Sequence, residues 1–162
     1  MTGTRARTVA LAAGAVVATV LVVAALLLIL ADRRSAETDL LAAEAVVAAE
    51  TAALAVVDYR PETVAEDLAA AEALLTSPFL DTFRQQSRDV TVPRATAGQV
   101  TSWARSAGAA LTSADMDSAV VVVYLDRHTV DADEIPRVLQ TVVEVGLVRQ
   151  GDRWLVSEFT PR

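Results

Sequence analysis

From Thr8 to Ala31 the chain runs 24 residues without a charged side chain. As a helix that run is about 36 Å long, enough to cross a hydrocarbon core of ~30 Å with some tilt. Its thirteen Val, Leu and Ile residues favour insertion by about 4 to 8 kcal/mol, with no charge to oppose them. A chain of 162 residues has no second layer of protein with which to surround such a helix in water. The run exceeds the ~7–15 apolar residues of a cleaved secretory signal. Ile29 also stands where a small residue is needed for a cut after Ala31. The expectation is an uncleaved, single-pass anchor in the cell membrane. Arg5 and Arg7 precede the span, and Arg33 and Arg34 come after it. The α-amine tips this balance towards a cytoplasmic N-terminus and an extracytoplasmic C-terminal domain.

Composition excludes several functions for the region beyond the span. Cysteine is absent, so there is no disulfide framework, thiolate nucleophile or Cys-ligated metal. His128 is the single histidine. The chain carries 14 basic and 21 acidic residues, net −7. From Ser35 onward the balance is ten arginines against twenty acids. Such a surface repels phosphate, so nucleic acid is not an expected partner. The segment Ser35 to Leu75, with nine acids and Arg60 as its one base, also stands off from anionic lipid head groups.

Periodicity organises the remainder. Ser35 to Asp58 is rich in Ala, Glu and Leu and predicts a helix, with Leu40, Val47, Leu54 and Val57 on the stripe expected to pack. Pro61 opens a second helix with Val64, Leu68, Ala71 and Leu75 on its apolar face. Ser77 and Pro78 read as the cap and first residue of a third, on which Phe79 and Phe83 share a core-facing side. Beyond Asp89 the period falls to two. Val100 to Leu111, Ala119 to Leu125, Val138 to Val148 and Arg153 to Phe159 predict about four antiparallel strands. In the first, Trp103, Ala107, Ala109 and Leu111 share one side; in the third, Leu139, Val143, Val145 and Leu147 do. Three helices and then a meander of strands make an α+β domain with the helices on one face of a sheet.

Asp58-Tyr59 closing an Ala/Glu-rich helix, then Leu74-Leu75-Thr76-Ser77-Pro78-Phe79, and the closing hairpin Gly151-Asp152-Arg153-Trp154-Leu155-Val156-Ser157 resemble the Mce-associated (mammalian cell entry-associated) membrane proteins. The Asp115/Asp117 turn before the valine run is similar too. The resemblance implies a single-pass anchor bearing a cone-shaped, nuclear-transport-factor-like domain with a curved sheet. It implies an accessory role beside Mce lipid-import complexes, and it carries over no catalytic residues. The organisation expected is a cytoplasmic tail (1–7), a transmembrane helix (8–31), a membrane-proximal helix (32–60) and the remainder of the cone (61–162).

No chemical motif stands against that reading. His128 ends a strand beside Asp126 and Arg127 and reads as solvated. Glu144 lies on the mixed face with Gln140; Tyr59 and Tyr124 read as core or rim. Asp131, Asp133 and Glu134 lack the ligand spacing and the glycine of a calcium loop. No nucleophile elbow, phosphate loop or zinc signature is present. The expectation is therefore no catalytic, cofactor-binding or metal-binding residue. The valine run points instead to binding. If Ala119, Val121, Val123 and Leu125 face the helices, then Val120, Val122 and Tyr124 face away, where Val142 and Val148 join them. A sheet apolar on both sides needs a second cover. That cover is a protein partner of an envelope complex or a second copy of this chain. The alternative is a cone that binds a small ligand or lipid, with isomerase-like activity. For the anchor, the test is carbonate extraction of membranes: the full chain is expected in the pellet, and a chain lacking residues 8–31 in the supernatant.

Overall fold

The computed structural model describes residues 40–133 and 136–162. The proposed span at 8–31, its flanks up to residue 39 and Glu134 lie outside the described residues. The described residues belong to one compact unit, Leu40–Arg162.

The unit opens on helix α1 (Leu40–Val57). Among the described residues it is the one helix long and apolar enough to cross a bilayer by length and composition. It serves here as a core helix, because Ala45, Ala49, Ala52 and Ala53 are wholly or almost wholly buried. That corrects the expected stripe: Leu40 and Val47 are 68% and 63% exposed, and only Leu54 packs partly against the core. Alanines four, seven and eight residues apart make a flat face, which lets the helix axis approach its neighbours closely. The larger side chains on the opposite side would hold it off.

Helix α2 (Val64–Glu72) buries Val64, Leu68 and Ala71, as expected, and Leu75 just beyond it is buried too. Pro61 sits in the turn before this helix, not in its first turn. The Asp67 carboxylate secures that turn, accepting from the Thr63 hydroxyl at 2.8 Å and the Arg60 amide at 3.1 Å. Helix α3 (Phe79–Gln86) passes through a π-helical turn, Ser87–Thr91, into α4 (Val92–Gly98). Pro78 takes the position expected of Ser77, whose hydroxyl donates to Asp81 at 2.7 Å instead of capping a backbone amide. The helical run to Gly98 also replaces the extended chain expected beyond Asp89. Val90, Thr91 and Val92 are weak helix formers. Burial of Ala95 and the acceptable placement of Pro93 in the first turn of α4 override that preference.

Four strands complete the unit: β1 (Thr101–Ala114), β2 (Ser118–Val130), β3 (Arg137–Gln150) and β4 (Arg153–Pro161). They form an antiparallel meander in the order β1-β2-β3-β4. The inner face is the expected one, with Ala119, Val121, Val123, Leu125, Val143, Val145 and Leu147 buried. Leu139 shares its parity but lies past the end of the core and is exposed. In β1 the simple alternation fails. The register shift after Ser106 inserts an extra residue, so Trp103, opposite His128, and Ala107 are exposed while Ala109, opposite Val123, packs on the core; Leu111, opposite Val121, shares the inner side and is nonetheless exposed. Gly108 sits just after the first bulge at φ 146°, a conformation that favours glycine.

Two backbone bridges tie the helices to the sheet. Tyr59 and Ser102 exchange both amide hydrogen bonds at 2.9 Å. Val156 donates to Leu74 at 2.9 Å and accepts from Thr76 at 2.8 Å. The result is a nuclear-transport-factor-like α+β cone: helices on the inner face of a four-stranded sheet, with the other face free of helices among the described residues. Enlarging Ala49 to Leu should overpack the α1 seam, lowering stability by about 1–3 kcal/mol. Val47→Ala on the exposed side should stay within about 0.5 kcal/mol of wild type in urea denaturation.

Candidate functional site

Two surfaces of the cone carry groups that packing leaves available: the outer face of the sheet and a cavity on its inner side.

On the outer face, register brings the expected residues into one neighbourhood. Tyr124 pairs with Val142, Val122 with Glu144, Val120 with Gly146, and Val148 with Ser118. Tyr124 is 46% exposed; the four valines are half-buried by their neighbours in the sheet. Glu144 interrupts the apolar surface and takes an ion pair from Arg162 at 2.7 Å. It is therefore a surface group held by a partner. The same face continues into residues that the valine pattern does not single out. Trp103 and His128 are cross-strand partners whose rings stack at 5.2 Å and 7°. Beside them Val138, paired with His128, is 60% exposed. The signal for them is present in the parity of β2, since residues 120, 122, 124, 126 and 128 must share a side.

The edges of the sheet are less available than its face. The Asp58 carboxylate accepts from the Ala104 amide at 2.7 Å, and Tyr59 covers Ser102. The two bulges break the rest of β1 as a pairing template. On β4 the segment around Leu75 bridges Val156. Docking by strand addition is blocked at these points, and docking by face is not.

On the inner side lies a cavity of about 480 Å³ between α3, the π turn and strands β2 to β4. Phe79, Phe83, Leu125, Val143 and Phe159 wall it, and Phe79 stacks on Phe159 at 5.4 Å and 11°. The charged residues lining it are Arg94, Arg127 and Glu158. The local sequence groups Arg127 with a solvated strand end. The alternation Val121, Val123, Leu125, Arg127 instead carries its side chain inward. Its Nε donates to the Ser102 hydroxyl at 3.0 Å. Tyr59 is buried and also lines this space, whereas His128 and Glu144 do not.

Of the remaining candidates, Asp131 pairs with Arg137 at 3.3 Å and its carboxylate also accepts from the Asp133 amide. Among the described residues no three potential metal ligands gather. Asp58 has its pKa raised from the ordinary 3.8, chiefly because it is removed from water and secondarily by the nearby Asp67 charge. The Ala104 amide and the charges of Arg127 and Arg60 oppose the shift without cancelling it.

No family model matches the chain. Among curated proteins it is 37% identical over 119 residues to outer membrane protein Rv1973 of Mycobacterium tuberculosis, covering 74% of each chain. This chain belongs to the Rv1973 family. It is also 33% identical over 131 residues to uncharacterized protein Rv1362c of the same organism, covering 80% of this chain and 60% of that one. Solved structures share the family's fold at low identity. An IcmL-like type IV secretion system protein from Legionella pneumophila superposes with a TM-score of 0.64 at 9% identity, over 74% of this chain and 91% of that one. The periplasmic domain of DotI gives 0.60 at 16% identity, over 72% and 91%. The same cone appears, at a TM-score of 0.52 and 16% identity over 77% and 87%, in a proposed aromatic ring hydroxylase from Novosphingobium aromaticivorans. The fold is shared by secretion components and an enzyme, so it does not by itself assign a function to this family.

The Asp58 shift predicts a pH dependence. A folded-state pKa above the unfolded value means that the stability linked to the neutral carboxyl is fully present below about pH 3.8 and is lost as pH rises through the folded value. Asp58→Asn keeps an acceptor for the Ala104 amide and removes the charge. Its melting temperature is expected to exceed that of wild type at pH 7, and the difference is expected to shrink on acidification towards pH 4.

Proposed function

We propose that this chain is a non-catalytic, membrane-anchored accessory protein whose cone docks a protein partner through the outer face of its sheet. The observation that carries the reading is that face itself. Tyr124, Val122 and Val142 form an apolar surface, with Trp103 and Val138 exposed farther along the same face beyond the Asp126/Gln140 pair, and no described helix packs on it. Monomeric domains rarely leave such a surface without a use. The uncharged run at 8–31 supports membrane attachment. So does the outer membrane name of a 37% identical relative. The shared fold of periplasmic secretion domains supports a head that works outside the cytoplasm among other envelope proteins.

The finer assignment rests on the resemblance to Mce-associated proteins: a single pass through the cell membrane, N-terminus cytoplasmic, head extracytoplasmic, beside an Mce-type lipid transport complex that it stabilises. Val120, Val122, Tyr124, Val142 and Val148 are the proposed docking residues. The test is native electrophoresis and crosslinking of the full chain in its own membranes, comparing wild type with a Val122→Arg/Val142→Glu double variant. Circular dichroism verifies that the variant folds. The double variant is expected to lose the higher-mass complex. An unchanged complex mass from a folded variant overturns docking through this face.

A further inference from the structure

The inner cavity of the cone has a chemistry of its own, independent of whatever covers the sheet. At about 480 Å³ it falls in the range of small-ligand sites. Phe79, Phe83, Phe159, Leu125 and Val143 make one apolar stretch of its wall, and much of the rest of the lining is polar. Beside the apolar stretch β2 sends a guanidinium. Burying part of a charge is costly unless hydrogen bonds and a counter-ion compensate it. Arg127 has one of these: its Nε is satisfied by Ser102. Among the described residues no carboxylate forms an ion pair with it. Asp58 is near enough for the Arg127 charge to lower its pKa, yet it spends an oxygen on the Ala104 amide and lies outside the cavity lining. Arg94, exposed at the rim, adds a second positive charge against the single Glu158. In a chain of net charge −7 the cavity is thus biased towards an anion. A fully buried hydroxyl, Ser87 Oγ in the π turn, has no described partner. π turns inserted in helices frequently mark functional sites.

We infer that this cavity binds a single-chain amphiphile, its hydrocarbon tail between the Phe79/Phe83/Phe159 wall and the sheet, and its carboxylate paired with the terminal nitrogens of Arg127. The tail buries apolar surface of the Phe79/Phe83/Phe159 wall, and the head group supplies the counter-ion. Neither part of the ligand would be held as well alone.

The test uses the full chain in phosphatidylcholine vesicles and a diazirine-bearing C14 carboxylate, with the matching C14 alcohol as the uncharged probe. After illumination, the carboxylate adducts are expected on residues 79–91 and on the inner side of β2 to β4. In Arg127→Gln they should fall about tenfold, the loss expected for one charge-assisted pair. Thr141→Trp, which fills the cavity while Arg127 remains, should remove them as well, and covers the case in which Arg127→Gln fails to fold. Adducts confined to residues 8–31 overturn the proposal, as does equal labelling of folded Arg127→Gln and wild type. Equal labelling of the cavity by the alcohol overturns the anionic head group. The docking variant Val122→Arg/Val142→Glu should label as wild type, so the failure of one proposal is distinguishable from failure of the other.

Discussion

One core shared by an alanine face and a valine face governs the rest of this molecule. Ala45, Ala49, Ala52 and Ala53 of α1 present almost no side chain, and the inner faces of β2 and β3 present a dense array of Val121, Val123, Val143, Val145 and Leu147. Each of those larger residues contributes roughly 1.5–3 kcal/mol by leaving water. Because the alanines let α1 lie close, its C-terminal end arrives where Asp58 can cap the Ala104 amide and Tyr59 can pair with Ser102. The edge of the sheet is closed by the same contact that builds the core.

That closure also leaves one part of the cone unfilled. Helix α3 meets β4 with aromatic rings in place of alanines, Phe79 on Phe159, and rings cannot pack as flat as methyl groups. The π turn at Ser87–Thr91 gives Ser87, Val90 and Thr91 to the lining of the cavity. Cavity and outer face lie on opposite sides of one sheet, and alternate residues of β2 serve each: Leu125 and Arg127 inward, Tyr124 and His128 outward. A single strand therefore supports an apolar interior with one cation on one side and an aromatic surface on the other.

Kinship and fold fix the architecture and leave the function to the side chains. Kinship at 37% identity places the chain in one family with a protein of M. tuberculosis called an outer membrane protein. Structural neighbours share its cone at 9–16% identity. Identity that low preserves the sheet and the helix positions and leaves the exposed side chains free to differ. What distinguishes this chain must then be sought in residues such as Tyr124, Trp103 and Arg127, not in the architecture.

Much of the architecture is legible from order and period alone. The helices-then-strands sequence, the α2 stripe, the turns near Asp117 and Gly151 and the inward set of the valine run all come from local pattern, because a strand with one buried face must alternate. The outward set is fixed by the same parity. What the pattern could not supply is which side of α1 is buried, where β1 bulges, and that weak helix formers continue the helix to Gly98. Those depend on volumes and registers set by partners distant in the sequence. Arg127 shows the limit most plainly. Its parity is readable, but that its neighbours leave a cavity around it, with Ser102 bonded to it and no carboxylate in an ion pair with it among the described residues, is decided only when four strands and the helices meet in three dimensions.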